Sequence, residues 1–213
     1  MDFAGSLVAR GAGAPLALAA NVVLARALGA EEYGRYLTLL SAALVAGGIA
    51  SFGVSAVITR EIAAQPESNR RELARGIVHW ANVLTARYGL LAAGILLLWL
   101  AFGPGAPASN WPQRLLSAGL VLPSIWIITF PAGLAGLMRV PQSEAVANAI
   151  KNSLLLGGAW LITLIPIATA GVALIAQLFS TLSAGLLGYL WFGYYTRRPN
   201  SGQPLIVDAS VSR

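Results

Sequence analysis

The chain has no cysteine and a single histidine, His79. It can therefore build no disulfide, no thiolate nucleophile and no cysteine or multi-histidine metal site. Charge is scarce as well. Asp, Glu, Lys and Arg make up 10% of the residues, against about 25% in an ordinary soluble domain. Acids are absent from the apolar runs. Asp2, Glu31, Glu32, Glu61, Glu67, Glu72 and Asp208 lie outside them, and Glu144 lies at an interface. Buried acids, cysteine and paired histidines are the usual equipment of an intramembrane enzyme, and all are missing. The expectation is a protein with no catalytic residues, no metal and no cofactor.

What the chain does have is apolar length. Six stretches read as membrane spans: Leu7–Leu28, Tyr36–Ile58, Ile77–Phe102, Leu115–Met138, Ala145–Ile167 and Val172–Tyr195. Each is 22 to 26 residues long, and a spanning helix needs about 20. In lipid every backbone group must be satisfied within its own segment, so the spans are helices. The fold class expected is all-α: a polytopic six-helix bundle over residues 1–195, followed by a loose polar tail over 196–213. No soluble domain fits between the spans. The start does not read as a signal peptide, since it carries Asp2, lacks a basic leader and runs into a span too long for one.

The net charge of +6 is explained by insertion better than by nucleic acid. With the N-terminus inside, the inner segments hold Arg10, Arg60, Arg70, Arg71, Arg75, Arg139, Lys151, Arg197, Arg198 and Arg213. The outer segments hold only Arg26, Arg35 and Arg114. Such a bias places both termini in the cytoplasm. Between the spans, Gly29–Arg35, Arg139–Glu144 and Ala168–Gly171 read as tight turns. Thr59–Gly76 reads as a charged, partly helical inner loop, and Gly103–Arg114 as an outer loop without regular structure.

Proline interrupts the apolar runs. Pro15 lies in the first span, Pro123 and Pro131 in the fourth, and Pro166 closes the fifth. Each removes one helical hydrogen bond and bends the helix. Together they lean toward a bent or cavity-forming bundle, although proline is also common in ordinary membrane helices.

Among polar residues Arg87 is the sharpest signal. It sits ten positions into the third span, about 15 Å deep, near the middle of a core of about 30 Å. A central arginine costs at least about 2.5–3.5 kcal/mol on insertion scales. No acid lies at its depth, so an anionic ligand could supply the counter-charge. The plainer alternative is a guanidinium capping carbonyls near Pro123 or Pro131. Arg10 and Asn21 share a narrow small-residue stripe on the first span. Gly48, Ser51, Ser55 and Thr59 form a similar stripe on the second, read as close packing. His79 and Asn82 lie on a loose arc with Arg87. Asn148, Lys151 and Asn152 cluster at the inner end of the fifth span. Asn21, Asn82, Asn148 and Lys151 are candidates for lining a cavity, and interhelical hydrogen bonding is the alternative. Gln177 reads as a packing hydrogen bond.

The segment VVLARALGAEEYGRYLTLLSAALVAGGIASFGVSAVITREIA, Val22 to Ala63, resembles the first hairpin of polysaccharide-export flippases. That family lies within the multidrug/oligosaccharidyl-lipid/polysaccharide exporter superfamily. The elements that carry the resemblance are Arg26–Gly29, the acidic-Tyr-Gly turn Glu32–Gly34, Gly53 and the exit Arg60–Glu61. The stretch GLAGLMRVPQSEAVANAIKNSLLL is similar to the family's inner turn between its fourth and fifth helices. The resemblance implies transport of lipid-linked oligosaccharide, a polyprenyl-pyrophosphate glycan, across a bacterial inner membrane. It also implies cationic side chains that hold the phosphates, a role Arg suits as a planar bidentate donor. Carried onto this chain, that role falls on Arg87, Arg10, Arg26 and Arg60. The alternative for Arg10, Arg26 and Arg60 is anchoring at helix ends.

One departure matters. The family has two lobes of about six helices or more, and this chain has one. The resemblance therefore implies a second lobe, supplied by a longer gene, a separate subunit or another copy. Two other readings stay open: a small-molecule exporter of the same superfamily, which would want a deep acid for ion coupling, and an inactive or structural membrane fragment.

Overall fold

A computed structural model describes residues 3–66, 70–104, 107, 109–165 and 168–197, with side chains from residue 11 onward. The side chain of Arg10, Pro166 and the tail from Arg198 lie outside the described residues. Its helices are α1 (Phe3–Ser51), α2 (Val54–Ala63), α3 (Arg70–Phe102), α4 (Trp111–Gly119), α5 (Val121–Gly136), α6 (Val140–Glu144), α7 (Lys151–Ile162) and α8 (Ala170–Arg197). A π-helical turn, Ala145–Ile150, joins α6 to α7. The protein is an all-α polytopic membrane protein.

Five helical stretches among the described residues are long and apolar enough to cross a membrane. They are Gly11–Ser51, Arg70–Phe102, Trp111–Gly136, Val140–Ile162 and Ala170–Arg197. The first has 41 residues. At 1.5 Å per residue it is about 60 Å of helix, twice a hydrocarbon core of about 30 Å. Gly29 divides it. Its φ of 74° and ψ of 171° lie in a region that only glycine enters readily. The chain turns back there, because the Tyr33 hydroxyl donates to Asn21 Oδ1 at 3.3 Å across twelve positions. In a straight helix those residues would be about 18 Å apart. The six spans read from the sequence and the five stretches thus differ by this one division.

The turn expected over Gly29–Arg35 shrinks to Gly29 alone. Glu31 and Glu32 both pair with Arg35 at helical spacing, which favours helix from residue 30 onward. Conversely, the continuous span expected over Tyr36–Ile58 is broken. Phe52 has φ 28° and Gly53 has φ 73°, and α2 starts anew at Val54. The inner turn expected over Arg139–Glu144 contains a short helix, α6, opened by Pro141 in the first turn where its missing N–H costs nothing. The fourth span begins earlier than expected, at Trp111. The Asn110 N–H donates to Gln113 Oε1 at 3.2 Å, and Pro112 lies in the first turn.

The α4–α5 span is the centre of the bundle. α5 packs against α8, α2, α3 and α1, while α1 also packs against α7 and α3. Lipid tails are as apolar as leucine, so packing rests on close approach rather than on water expulsion. Glycines supply it. A Cβ on Gly13 would lie 2.6 Å from the Asn148 Cβ, and one on Gly136 would lie 2.7 Å from the Ile62 Cβ. Buried hydrogen bonds then pin the crossings. Ser117 donates to the Leu39 carbonyl at 2.8 Å, and the Tyr36 hydroxyl to Gln177 Oε1 at 3.1 Å.

Candidate functional site

The break in the second span sits beside α3. A groove of about 520 Å³ opens there, lined by Ile49, Ala50, Phe52, Leu84, Thr85 and Tyr88 among others. Broken helices in membrane bundles persist where the loosened backbone faces protein or a cavity. Here the strained pair Phe52–Gly53 stands at the groove's edge, and Phe52 is exposed. Thr85, at the groove's floor, spends its hydroxyl on the Ala81 carbonyl at 2.7 Å. The groove itself is therefore apolar.

Arg87 lies on the far side of α3 from the core. The buried face of that helix is Ala74, Val78, Ala81, Thr85 and Gly89. Arg87 is about 160° around from Thr85 and Gly89 at 100° per residue. It is exposed, on one stripe with exposed Val83, Leu90 and Gly94. It stands seventeen residues from Arg70 and fifteen from Phe102, so about 26 and 22 Å from the two helix ends. No hydrogen bond or ion pair reaches it from the described residues. It does not cap carbonyls near Pro123 or Pro131. Hydroxyls do that work near Pro131: Ser143 donates to the Pro131 carbonyl at 2.8 Å, and Thr59 to the Ala132 carbonyl at 3.2 Å.

The other candidate cations with described side chains are not brought to Arg87. Arg26 is exposed near the Gly29 end of the bundle, and Arg60 is exposed on α2 near the opposite end, paired with Glu61 at 2.9 Å. Lys151 is half-buried at the start of α7. The candidate amides divide. Asn21 donates to the Ala17 carbonyl at 2.9 Å and accepts from Tyr33, so both polar ends are used in closing the hairpin. Asn148 donates to Glu144 Oε2 at 2.8 Å and packs on Gly13. Its neighbour Asn152 is the more buried, and donates to the Gly13 carbonyl at 2.9 Å. Asn82 borders open space. With His79, Phe130 and Tyr189 it lines a second groove, about 460 Å³, between α3, α5 and α8. Its Oδ1 is buried without a hydrogen-bond partner, a state that costs about 1–3 kcal/mol.

The acidic-Tyr-Gly turn serves the scaffold. Glu32 Oε2 accepts from the Ala170 N–H at 2.7 Å, placing a carboxylate on the N-terminus of α8, 138 positions away. Tyr33 closes the hairpin and Tyr36 reaches Gln177. The sequence marked this turn as recognisable but not as a lock, because its partners lie on distant helices. Gln177, read from sequence as a packing hydrogen bond, is one of those partners.

A family model described as "Polysaccharide biosynthesis protein" matches residues 2–206. The chain belongs to the polysaccharide biosynthesis protein family. No curated protein and no solved structure matches it. Members of this polysaccharide biosynthesis family are membrane transporters of the flippase kind rather than enzymes, and their cargo is the lipid-linked precursors of polysaccharide. A flippase-like role therefore stands for this family member at that general level, and its multi-pass helical bundle fits that role.

Proposed function

We propose that this chain is one lobe of a flippase that moves polyprenyl-pyrophosphate-linked oligosaccharide across a bacterial inner membrane for surface polysaccharide synthesis. Arg87 is the observation that carries the reading. A guanidinium at mid-helix, exposed and with no described carboxylate partner, fits an anionic head group better than it fits lipid tails. Facing lipid alone it would be costly. A second lobe beside α3 would enclose it, and two lobes related about the membrane normal could rock around a shared site. In this reading Arg87 is the head-group contact at mid-depth, while Arg10, Arg26 and Arg60 assist at the two faces, with Lys151 and Asn82 along the path.

Two experiments test the parts. Replacing Arg87 by Ala in the producing cell should abolish surface glycan while the protein stays inserted and abundant. Normal glycan display by that variant would remove the residue from the mechanism. For orientation, both termini should be cytoplasmic. In this cysteine-free chain an impermeant thiol reagent should label Ser109→Cys in intact cells and not Ser68→Cys, and the reverse pattern would invert the topology.

A further inference from the structure

We infer that the arginine-rich end of the bundle carries a second, separate anion site, built for the phosphate of a membrane lipid by Arg70, Arg71 and Arg139. The three line one pocket of about 330 Å³ together with Leu137, Met138 and Tyr195. They come from distant parts of the chain. Arg70 and Arg71 open α3, whose N-terminal dipole adds to the positive field. Arg139 follows α5, and Tyr195 closes α8.

The backbone holds Arg139 in place. Its N–H donates to the Leu134 carbonyl at 2.9 Å, and the Met138 N–H to the Ala135 carbonyl at 2.9 Å. That is a Schellman ending, which normally places glycine where the chain turns left-handed. Here Met138 occupies the turn at φ 60°. A methionine there is strained by about 1–2 kcal/mol, and it gives the pocket an apolar wall that glycine could not. The Arg139 guanidinium then lies over the Tyr195 ring, 4.8 Å from its centroid. Arg70 is held from below, with Nε and Nη2 donating to the Gln65 carbonyl at 3.1 and 2.9 Å. Among the described residues no acid lines the pocket. Glu72, next along α3, is exposed and outside it.

Farther along the same three helices lies a separate apolar groove, the one lined by Asn82, Phe130, Leu186 and Tyr189. Arg71, His79, Asn82 and Ala86 share one stripe of α3, and Trp126, Phe130 and Leu137 one stripe of α5, by helical spacing. The two openings therefore follow one another along the helix axes, about 10 Å apart. Charge at the membrane surface above an apolar channel matches a lipid: phosphate among the guanidiniums, one acyl or prenyl chain below. A soluble anion would need no such channel. The site does not use Arg87, which lies on neither opening, and shares only Asn82 with the proposed transport path.

The test uses the full chain, purified in mild detergent and stripped of lipid, with native mass spectrometry as the readout. Phosphatidylglycerol should be retained over phosphatidylcholine of the same chains by about tenfold, as one charged hydrogen bond gained or lost implies. Arg139→Gln and Arg71→Gln should each lose about that factor, and Arg139→Lys should keep part of it, having charge without the planar fork. Arg114→Gln, at the other end, should retain lipid like the parent. Polyprenyl phosphate offered in parallel identifies the source: whichever lipid outcompetes the other, sensitivity to Arg139→Gln supports the site. Equal retention of the two phospholipids, retention unchanged in the folded Arg71→Gln and Arg139→Lys proteins, or complete displacement by inorganic pyrophosphate would overturn it.

Discussion

The spans Trp111–Gly136 and Arg70–Phe102 are equally apolar, yet 61% of the most apolar window is buried in the first and 22% in the second. Their polar groups differ in the same sense. In the first span Ser117, Ser124 and Thr129 each donate to a backbone carbonyl, at 2.8, 2.7 and 3.0 Å. In the second, Thr85 is satisfied, but Asn82 leaves an oxygen unpaired and Arg87 has no described partner. One span is scaffold, packed against protein over most of its surface. The other is a wall with one face turned outward, and it carries Asn82 and Arg87 with hydrogen-bonding capacity unspent among the described residues. Hydropathy alone cannot separate the two, because lipid and a protein core are similar solvents for an apolar side chain.

Changes in the packed span should be the most damaging to the fold. Gly136→Leu would force a side chain onto Ile62, where even a Cβ lies 2.7 Å away. We expect a loss of about 1–3 kcal/mol or more, read as a lowered melting temperature in detergent. A variant as stable as the parent would mean that α2 is not seated on α5. Next comes the Tyr36–Gln177 bond, which ties the hairpin to α8. Tyr36→Phe leaves Gln177 Oε1 without its donor and should cost about 0.6–1.7 kcal/mol, the range of hydrogen bonds inside membrane bundles. Glu32→Gln removes the negative charge from the start of α8 and should cost about 0.3–1 kcal/mol, less at high salt. On the outward face, Gly94→Ala meets no atom within 4 Å. It should not lower stability, and the better helix propensity of alanine should raise it by up to about 0.5–1 kcal/mol. A large loss there would show that α3 already has a partner on that face.

Much of this architecture was legible in the residues. Apolar length over about 20 residues fixes a span with little ambiguity, and the absence of acids from those spans is what singled out Arg87. Boundaries and local breaks were harder. The break at Phe52–Gly53 lay inside an unbroken apolar run, and nothing in composition marks a methionine or phenylalanine that will be held at positive φ. The π-helical turn at Ala145–Ile150 had a trace in the sequence, the polar group Asn148, Lys151 and Asn152. The close crossing at Gly13 that it accompanies is a contact across more than a hundred positions. The Arg70–Arg71–Arg139 pocket was invisible for a similar reason. Each arginine counted toward topology, and only the fold brings them to one opening. Asn21 shows the converse, since a polar residue on a small-residue stripe proved to be tied up within the hairpin.

The central claim is that the outward face of α3 transports and the α4–α5 span supports. Its most direct test is translocation of a fluorescent polyprenyl-pyrophosphate oligosaccharide in proteoliposomes containing the full transporter, normalised to folded protein. Two variants should be compared there, Arg87→Ala and Ser124→Ala. The account predicts a loss of about ten- to hundredfold in rate for Arg87→Ala at unchanged melting temperature, from one charged hydrogen-bonding partner removed. Ser124→Ala should transport at the parental rate per folded molecule. Parental rates from Arg87→Ala would contradict the account.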